Sequence, residues 1–210
     1  MYKCGMNPPY WNKATRHLSQ SCPIMKTIVA RYKGEGLHAR EDGFYTLIRA
    51  VVGQQISVKA ADAVWAKLNK AVNPLTPENL LRKRETTLRA CGLSGSKVAY
   101  VRNVAEFFKG RGRDADAWNG HSDDEVMALL TSIKGIGSWT AEMFLMFHLG
   151  RPDLLPLKDL GLLKAIDLYY TGGKRLKPAE YEQIAEKWRP YRTVATWYLW
   201  RALDPVPVAY

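Results

Sequence analysis

The chain has 210 residues, enough for one large or two small domains with a sizeable core, and 47% of them are hydrophobic, an ordinary share for a globule. Lys and Arg number 31 against 20 Asp and Glu, a formal charge of +11 that favours polyanionic partners through counterion release without choosing among DNA, RNA and a membrane surface. Cys4, Cys22 and Cys91 are odd in number and widely spaced, which argues against a disulfide framework and a CxxC metal site and for a reducing compartment.

No apolar run approaches the ~20 residues of a membrane span, and the N-terminus carries no signal-peptide core. The expectation is a soluble intracellular protein, cytoplasmic or nucleoid-associated if bacterial. Residues 1–25 mix Pro8, Pro9 and Pro23 with scattered aromatics, which predicts an N-terminal arm with one helix from Trp11 to Leu18.

From Glu41 the texture turns helical. Phe44, Leu47, Ile48 and Val51 fall at i, i+3, i+4 and i+7, the spacing of one buried helical face, and the period recurs through Val58 to Leu68 and Val98 to Phe108. Thr76-Pro77 sets a capping hydroxyl before a first-turn proline, and Ser122-x-x-Glu125 fits a capping box. Gly92, Gly95, Gly110, Gly112 and Gly172-Gly173 mark turns. No sustained apolar/polar alternation argues for strands, so the predicted fold is all-α, with roughly ten short helices.

Between Leu129 and Phe147 two apolar helices meet at Lys134-Gly135-Ile136-Gly137, a turn read as too tight for side chains at its glycines. Ser138 is expected to cap the second helix, leaving bare N–H groups and the positive dipole end where a phosphate fits. Taken alone, this is more often an ordinary αα-hairpin with a glycine corner, because short glycine patterns are weak signals. Downstream, Pro156-x-x-Asp159 puts a carboxylate at the head of a helix starting at Leu160. Capping is the commonest job for such an aspartate, and a capping carboxylate is also held rigid and ionised.

Together, Gly135-Ile-Gly-Ser-Trp-Thr-Ala-Glu-Met-Phe144 and Pro156-Leu-Lys-Asp-Leu-Gly-Leu162 resemble the helix-hairpin-helix/Gly-Pro-Asp superfamily of DNA glycosylases, and within it the DNA-3-methyladenine glycosylase II (alkylpurine) branch. The resemblance spans roughly residues 43 to 203. It implies a two-lobed helical fold with a cleft between lobes. The N-terminal β-domain of many branch members is not expected, for want of length and pattern. The expected division is a 1–40 arm packing on the C-terminal lobe, a 41–120 central lobe with a wedge segment, and a 121–210 lobe with the hairpin and the aspartate.

The resemblance also implies roles. Asp159 takes the catalytic position, where a carboxylate stabilises oxocarbenium character as an N-glycosidic bond breaks. Trp139, Met143 and Trp200 line the base pocket, an aromatic wall suited to cationic alkylpurines. Gln55, with Gln54 beside it, plugs the duplex when a base is flipped. Lys134, Gly135, Ile136, Gly137, Ser138 and Lys97 meet the DNA backbone. Hairpin carbonyls of the family can also hold a monovalent cation. Asp153, a rival carboxylate, reads as a turn residue.

Relatives that cut the backbone carry a lysine where Trp139 stands, so the resemblance implies a monofunctional enzyme acting as a monomer on double-stranded DNA with alkylated bases. No side-chain metal site is expected, nor an iron–sulfur cluster, since the cysteines such relatives use beyond Cys91 are missing. A bifunctional oxidised-base glycosylase/lyase and a non-catalytic DNA-gripping hairpin module remain the alternatives.

Overall fold

The computed structural model describes residues 7–37 and 42–204, the side chain of Val58 excepted. Cys4, the start of the expected arm and Glu41 lie outside the described residues. Within them run twelve α-helices and one 3-10 turn, and no strand. In chain order these are α1 (Trp11–Ser21), α2 (Pro23–Arg31), α3 (Gly43–Gly53), α4 (Val58–Ala71), α5 (Pro77–Arg82), α6 (Glu85–Ala90), α7 (Gly95–Phe108), the 3-10 turn (Ala115–Trp118), α8 (Asp123–Thr131), α9 (Ser138–Phe147), α10 (Leu160–Thr171), α11 (Pro178–Glu186) and α12 (Arg192–Leu203). The all-α class read from the periodicity is the observed one, and no described helix is long and apolar enough to cross a membrane.

The chain forms two compact units: one takes in the described residues within Arg40–Leu149, the other those within Tyr2–Ala39 and Gly150–Ala209. The boundary therefore falls after residue 149 and not at 120/121, so the hairpin belongs to the first unit and Asp159 to the second. The reason is packing, since α9 lies against both α3 and α8.

In the first unit α3 is the central rod. Asp42 starts it by accepting a hydrogen bond from the Tyr45 N–H (3.0 Å). Phe44, Leu47, Ile48 and Val51 are all fully buried as the period predicts, but Thr46, Ala50 and Val52 are buried as well. Each large apolar chain removed from water stabilises by about 1.5–3 kcal/mol. A helix covered on every side does not drift, which fixes where its C-terminal turn points. The two capping predictions hold. Thr76 Oγ1 accepts from Asn79 N (3.2 Å). Ser122 Oγ accepts from Glu125 N (3.2 Å) while Glu125 Oε2 accepts from Ser122 N (2.7 Å).

The second unit is built on α12, which packs against α1, α2 and α10. Trp11 meets the Trp197 ring edge-on at 5.3 Å and stacks on Tyr198 at 5.7 Å. The sequence reading missed α2. Pro23 reads as loop punctuation but occupies the first helical turn, where its missing N–H costs nothing, and the Cys22 sulfur accepts from Met25 N (3.3 Å). At the far end of α12, Arg201 pairs with Glu35 and lies over the Tyr32 ring at 5.1 Å.

Candidate functional site

The hairpin corner is shaped by one glycine and opened by another. Gly135 has φ +103°, and a Cβ there would sit 2.2 Å from the Tyr100 ring, so both backbone and space require glycine. Gly137 has φ −90°, and nothing lies within 4 Å of where its Cβ would be. The tightness expected of both glycines thus belongs to Gly135 alone. At Gly137 the missing side chain instead leaves the backbone approachable from outside.

Ser138 is the first residue of α9 and not its cap; the cap is Gly137, and no side chain caps this end. With no hydroxyl folded back, the first-turn N–H groups and positive dipole end are left to an outside acceptor such as phosphate. Ile136, buried, anchors the corner, while Lys134 is exposed with its carbonyl accepting from Asn103 Nδ2 (2.9 Å). Trp139 follows on the first turn of α9, partly exposed. Met143, one turn on, has no exposed surface. Its expected place in a pocket wall is corrected: α9 turns that side chain into the core, out of reach of a ligand.

The wedge segment departs from expectation at two residues. Gln54 Nε2 donates to the Gly135 carbonyl (3.2 Å) and to Thr140 Oγ1 (3.0 Å), so its side chain is spent on the hairpin and does not project as a wedge. Lys97 Nζ donates to the carbonyls of Val52 (2.7 Å) and Gln54 (2.8 Å), neutralising the negative end of α3 where a phosphate contact was expected. Burial holds its ammonium below the ordinary lysine pKa. Gln55 is exposed, with φ 57°, the left-handed region that non-glycine residues rarely enter.

In the second unit, Asp159 is 8% exposed and caps α10. Its Oδ1 accepts from Leu162 N (2.7 Å) and from the Trp200 indole Nε1 (2.9 Å). Both donors hold the same oxygen and so fix the direction of the carboxylate. Trp200 is itself 8% exposed and holds the carboxylate through its indole N–H, a role the pocket-wall reading did not contain. A Cβ on Gly161 would lie 3.1 Å from Asp159 Oδ1 and 3.5 Å from the Trp200 ring, so glycine leaves room for that bond. Asp153 is committed elsewhere. Its Oδ1 accepts from Arg192 Nε and its Oδ2 from Arg189 Nη1, each at 2.8 Å, which makes it a structural clamp.

An open glycine corner at a helix N-terminus and a rigid buried carboxylate after Pro156 are the two marks of one family, and comparison with known proteins bears on them directly. Residues 48–190 match the family model described as HhH-GPD superfamily base excision DNA repair protein. The chain belongs to the HhH-GPD superfamily.

Among relatives of this HhH-GPD chain, DNA-3-methyladenine glycosylase 1 of Schizosaccharomyces pombe is 32% identical over 90% of this chain and 86% of its own. The putative DNA-3-methyladenine glycosylase YfjP of Bacillus subtilis is 42% identical over 92% of this chain and 71% of its own. The solved structure of the S. pombe 3-methyladenine DNA glycosylase (Mag1) in complex with abasic DNA superposes with TM-score 0.82 at 31% identity, covering 94% of this chain and all of that one. Among the described residues of this HhH-GPD chain, no group of three or more His, Cys, Asp or Glu could hold a metal.

Proposed function

We propose that this HhH-GPD protein is a monofunctional DNA glycosylase that releases alkylated purines, of the 3-methyladenine and 7-methylguanine type, from double-stranded DNA in base excision repair. The relatives' names support the substrate class, and a neighbour bound to abasic DNA holds the expected product of such a reaction. The observation that carries the reading is the carboxylate of Asp159, buried at the head of α10 and gripped by Leu162 N and Trp200 Nε1.

The chemistry follows from that group. As the bond between the base nitrogen and C1′ lengthens, positive charge grows on the deoxyribose, and a fixed carboxylate stabilises it by Coulomb attraction. The bond's electron pair leaves with the base. An alkylated purine carries positive charge beforehand, so it departs neutral. Water then bonds to C1′ and loses a proton, to Asp159 or to solvent, leaving an abasic site.

Trp139 supplies no amine where a lyase would form its Schiff base, so water is the nucleophile. Its ring suits the cationic base, an attraction of about 0.5–2 kcal/mol. The hairpin N–H groups grip the strand, and Gln55 fills the gap left by the extruded base. The reaction is hydrolytic and draws on no cofactor, and its substrate places the protein inside the cell.

The test is release of free methylated base from methylated duplex DNA, resolved by chromatography and matched by abasic sites. Borohydride should trap no covalent protein–DNA adduct. A trapped adduct would favour the lyase alternative, and binding without any base release would favour the non-catalytic module.

A further inference from the structure

The turn that carries Gln55 is held in a way that packing does not explain. It follows the C-terminus of α3 and borders a cavity of about 400 Å³ lined by Gln54, Gln55, Ile56, Leu93 and Lys97 among others. Ile56 on the turn is 41% exposed. Gln55 holds a left-handed φ without being glycine or asparagine. Such a conformation persists only if the surroundings over-determine it.

Two side chains do so. Gln54 runs its amide into the hairpin, reaching the carbonyl of Gly135 and the hydroxyl of buried Thr140. Lys97 on the first turn of α7 bonds the carbonyls of Val52 and Gln54, the residues that end α3 and enter the turn. Ser94 Oγ caps α7 by accepting from Lys97 N (3.2 Å), so the lysine springs from a fixed base.

We propose that Gln54, Thr140 and Lys97 are positioning residues that tie the strand-gripping hairpin to the inserting turn, so that seating a phosphate at Gly137 and holding Gln55 ready for insertion are one event. The proposal rests on the glycosylase reading above. Its physical content is that the amide of Gln54 bridges two segments 81 residues apart in sequence at the carbonyl of Gly135, two residues from the open corner. Strain or disorder at one segment is thereby felt at the other.

The experiment compares single-turnover release of 7-methylguanine from a paired site and from a one-nucleotide bulge, where the base is already unstacked and needs little help to leave the helix. Gln54→Ala and Thr140→Val should each slow the paired substrate about five- to tenfold, the worth of a lost hydrogen bond, and leave the bulged one within about twofold. The double variant should be no slower than the worse single one, because both remove one link. Lys97→Met should show the same split with an unchanged salt dependence of binding. A slope lower by about 0.9, with both substrates slowed alike, would make Lys97 a phosphate contact instead.

Equal losses on both substrates, or no loss in any variant, would overturn the proposal. Fluorescence of 2-aminopurine beside the lesion supplies a readout independent of chemistry, and the variants should lower its rise on binding. If the wild type released no base from either substrate, the glycosylase reading would fall, while the fluorescence comparison would still decide the tie between hairpin and turn.

Discussion

Replacing Trp200 with Phe removes one N–H and keeps an aromatic face, which separates the two jobs a tryptophan can do here. In the structure that N–H lies 2.9 Å from Asp159 Oδ1, and both side chains are 8% exposed, so no bulk water stands ready to replace it. A hydrogen bond to a charged acceptor contributes about 1.5–3 kcal/mol, which at 1.4 kcal/mol per tenfold corresponds to a loss of roughly 10- to 100-fold if it is felt in the transition state. Leu162 N still grips the same oxygen, so the carboxylate should stay in the site but point less reliably.

The assay is single-turnover base release at saturating enzyme, with thermal unfolding and DNA affinity measured alongside. Trp200→Phe should slow release with affinity unchanged, and Trp200→His, which keeps a ring N–H, should recover part of the rate. Release at the wild-type rate by a folded Trp200→Phe variant would refute the claim that the indole aims Asp159. A loss of affinity for lesion-bearing DNA alone would return Trp200 to the role of pocket wall.

Gly161→Ala should act on the same bond from the other side, because its methyl would arrive 3.1 Å from Asp159 Oδ1; slower release with little change in DNA affinity is the expected outcome. Gly135→Ala and Gly137→Ala should diverge. The first forces a left-handed alanine into Tyr100 and should lower thermal stability by roughly 1–3 kcal/mol or more, whereas the second meets nothing and should weaken DNA binding with an unchanged melting temperature. Asp153→Ala should cost a few degrees of melting temperature through loss of its pairs with Arg189 and Arg192 while leaving base release per folded molecule intact. Trp139→Lys should not yield a borohydride-trappable lyase, since an amine there would still need a lowered pKa and correct aim.

The helical class, α3's buried face and the caps at Thr76 and Ser122 were legible because each rests on local spacing, the kind of signal a linear chain displays. The glycine corner and the cap at Asp159 were legible because a glycine turn and an aspartate heading a helix are local signals, while the site role given to Asp159 came from the family resemblance. What escaped was long-range. Nothing near Trp200 announces that its N–H meets a carboxylate 41 residues away. Nothing in Gln54-Gln55 says that one side chain turns back to the hairpin while its neighbour enters the left-handed region. Met143 shares a helical face with Trp139 by periodicity, yet only one of the two keeps any exposure, because helix periodicity gives direction and not depth. The helix at Pro23–Arg31 was hidden by a proline that starts it.

The most direct measurement is base release by Asp159→Asn from methylated duplex DNA, with binding followed on the same substrate. Asparagine keeps the shape and an acceptor for Leu162 N but carries no charge. The account predicts that DNA is still bound while release of methylated base falls by two orders of magnitude or more, on the order of the loss seen when one electrostatic stabiliser of a transition state is removed. Release at the wild-type rate by that variant would contradict it.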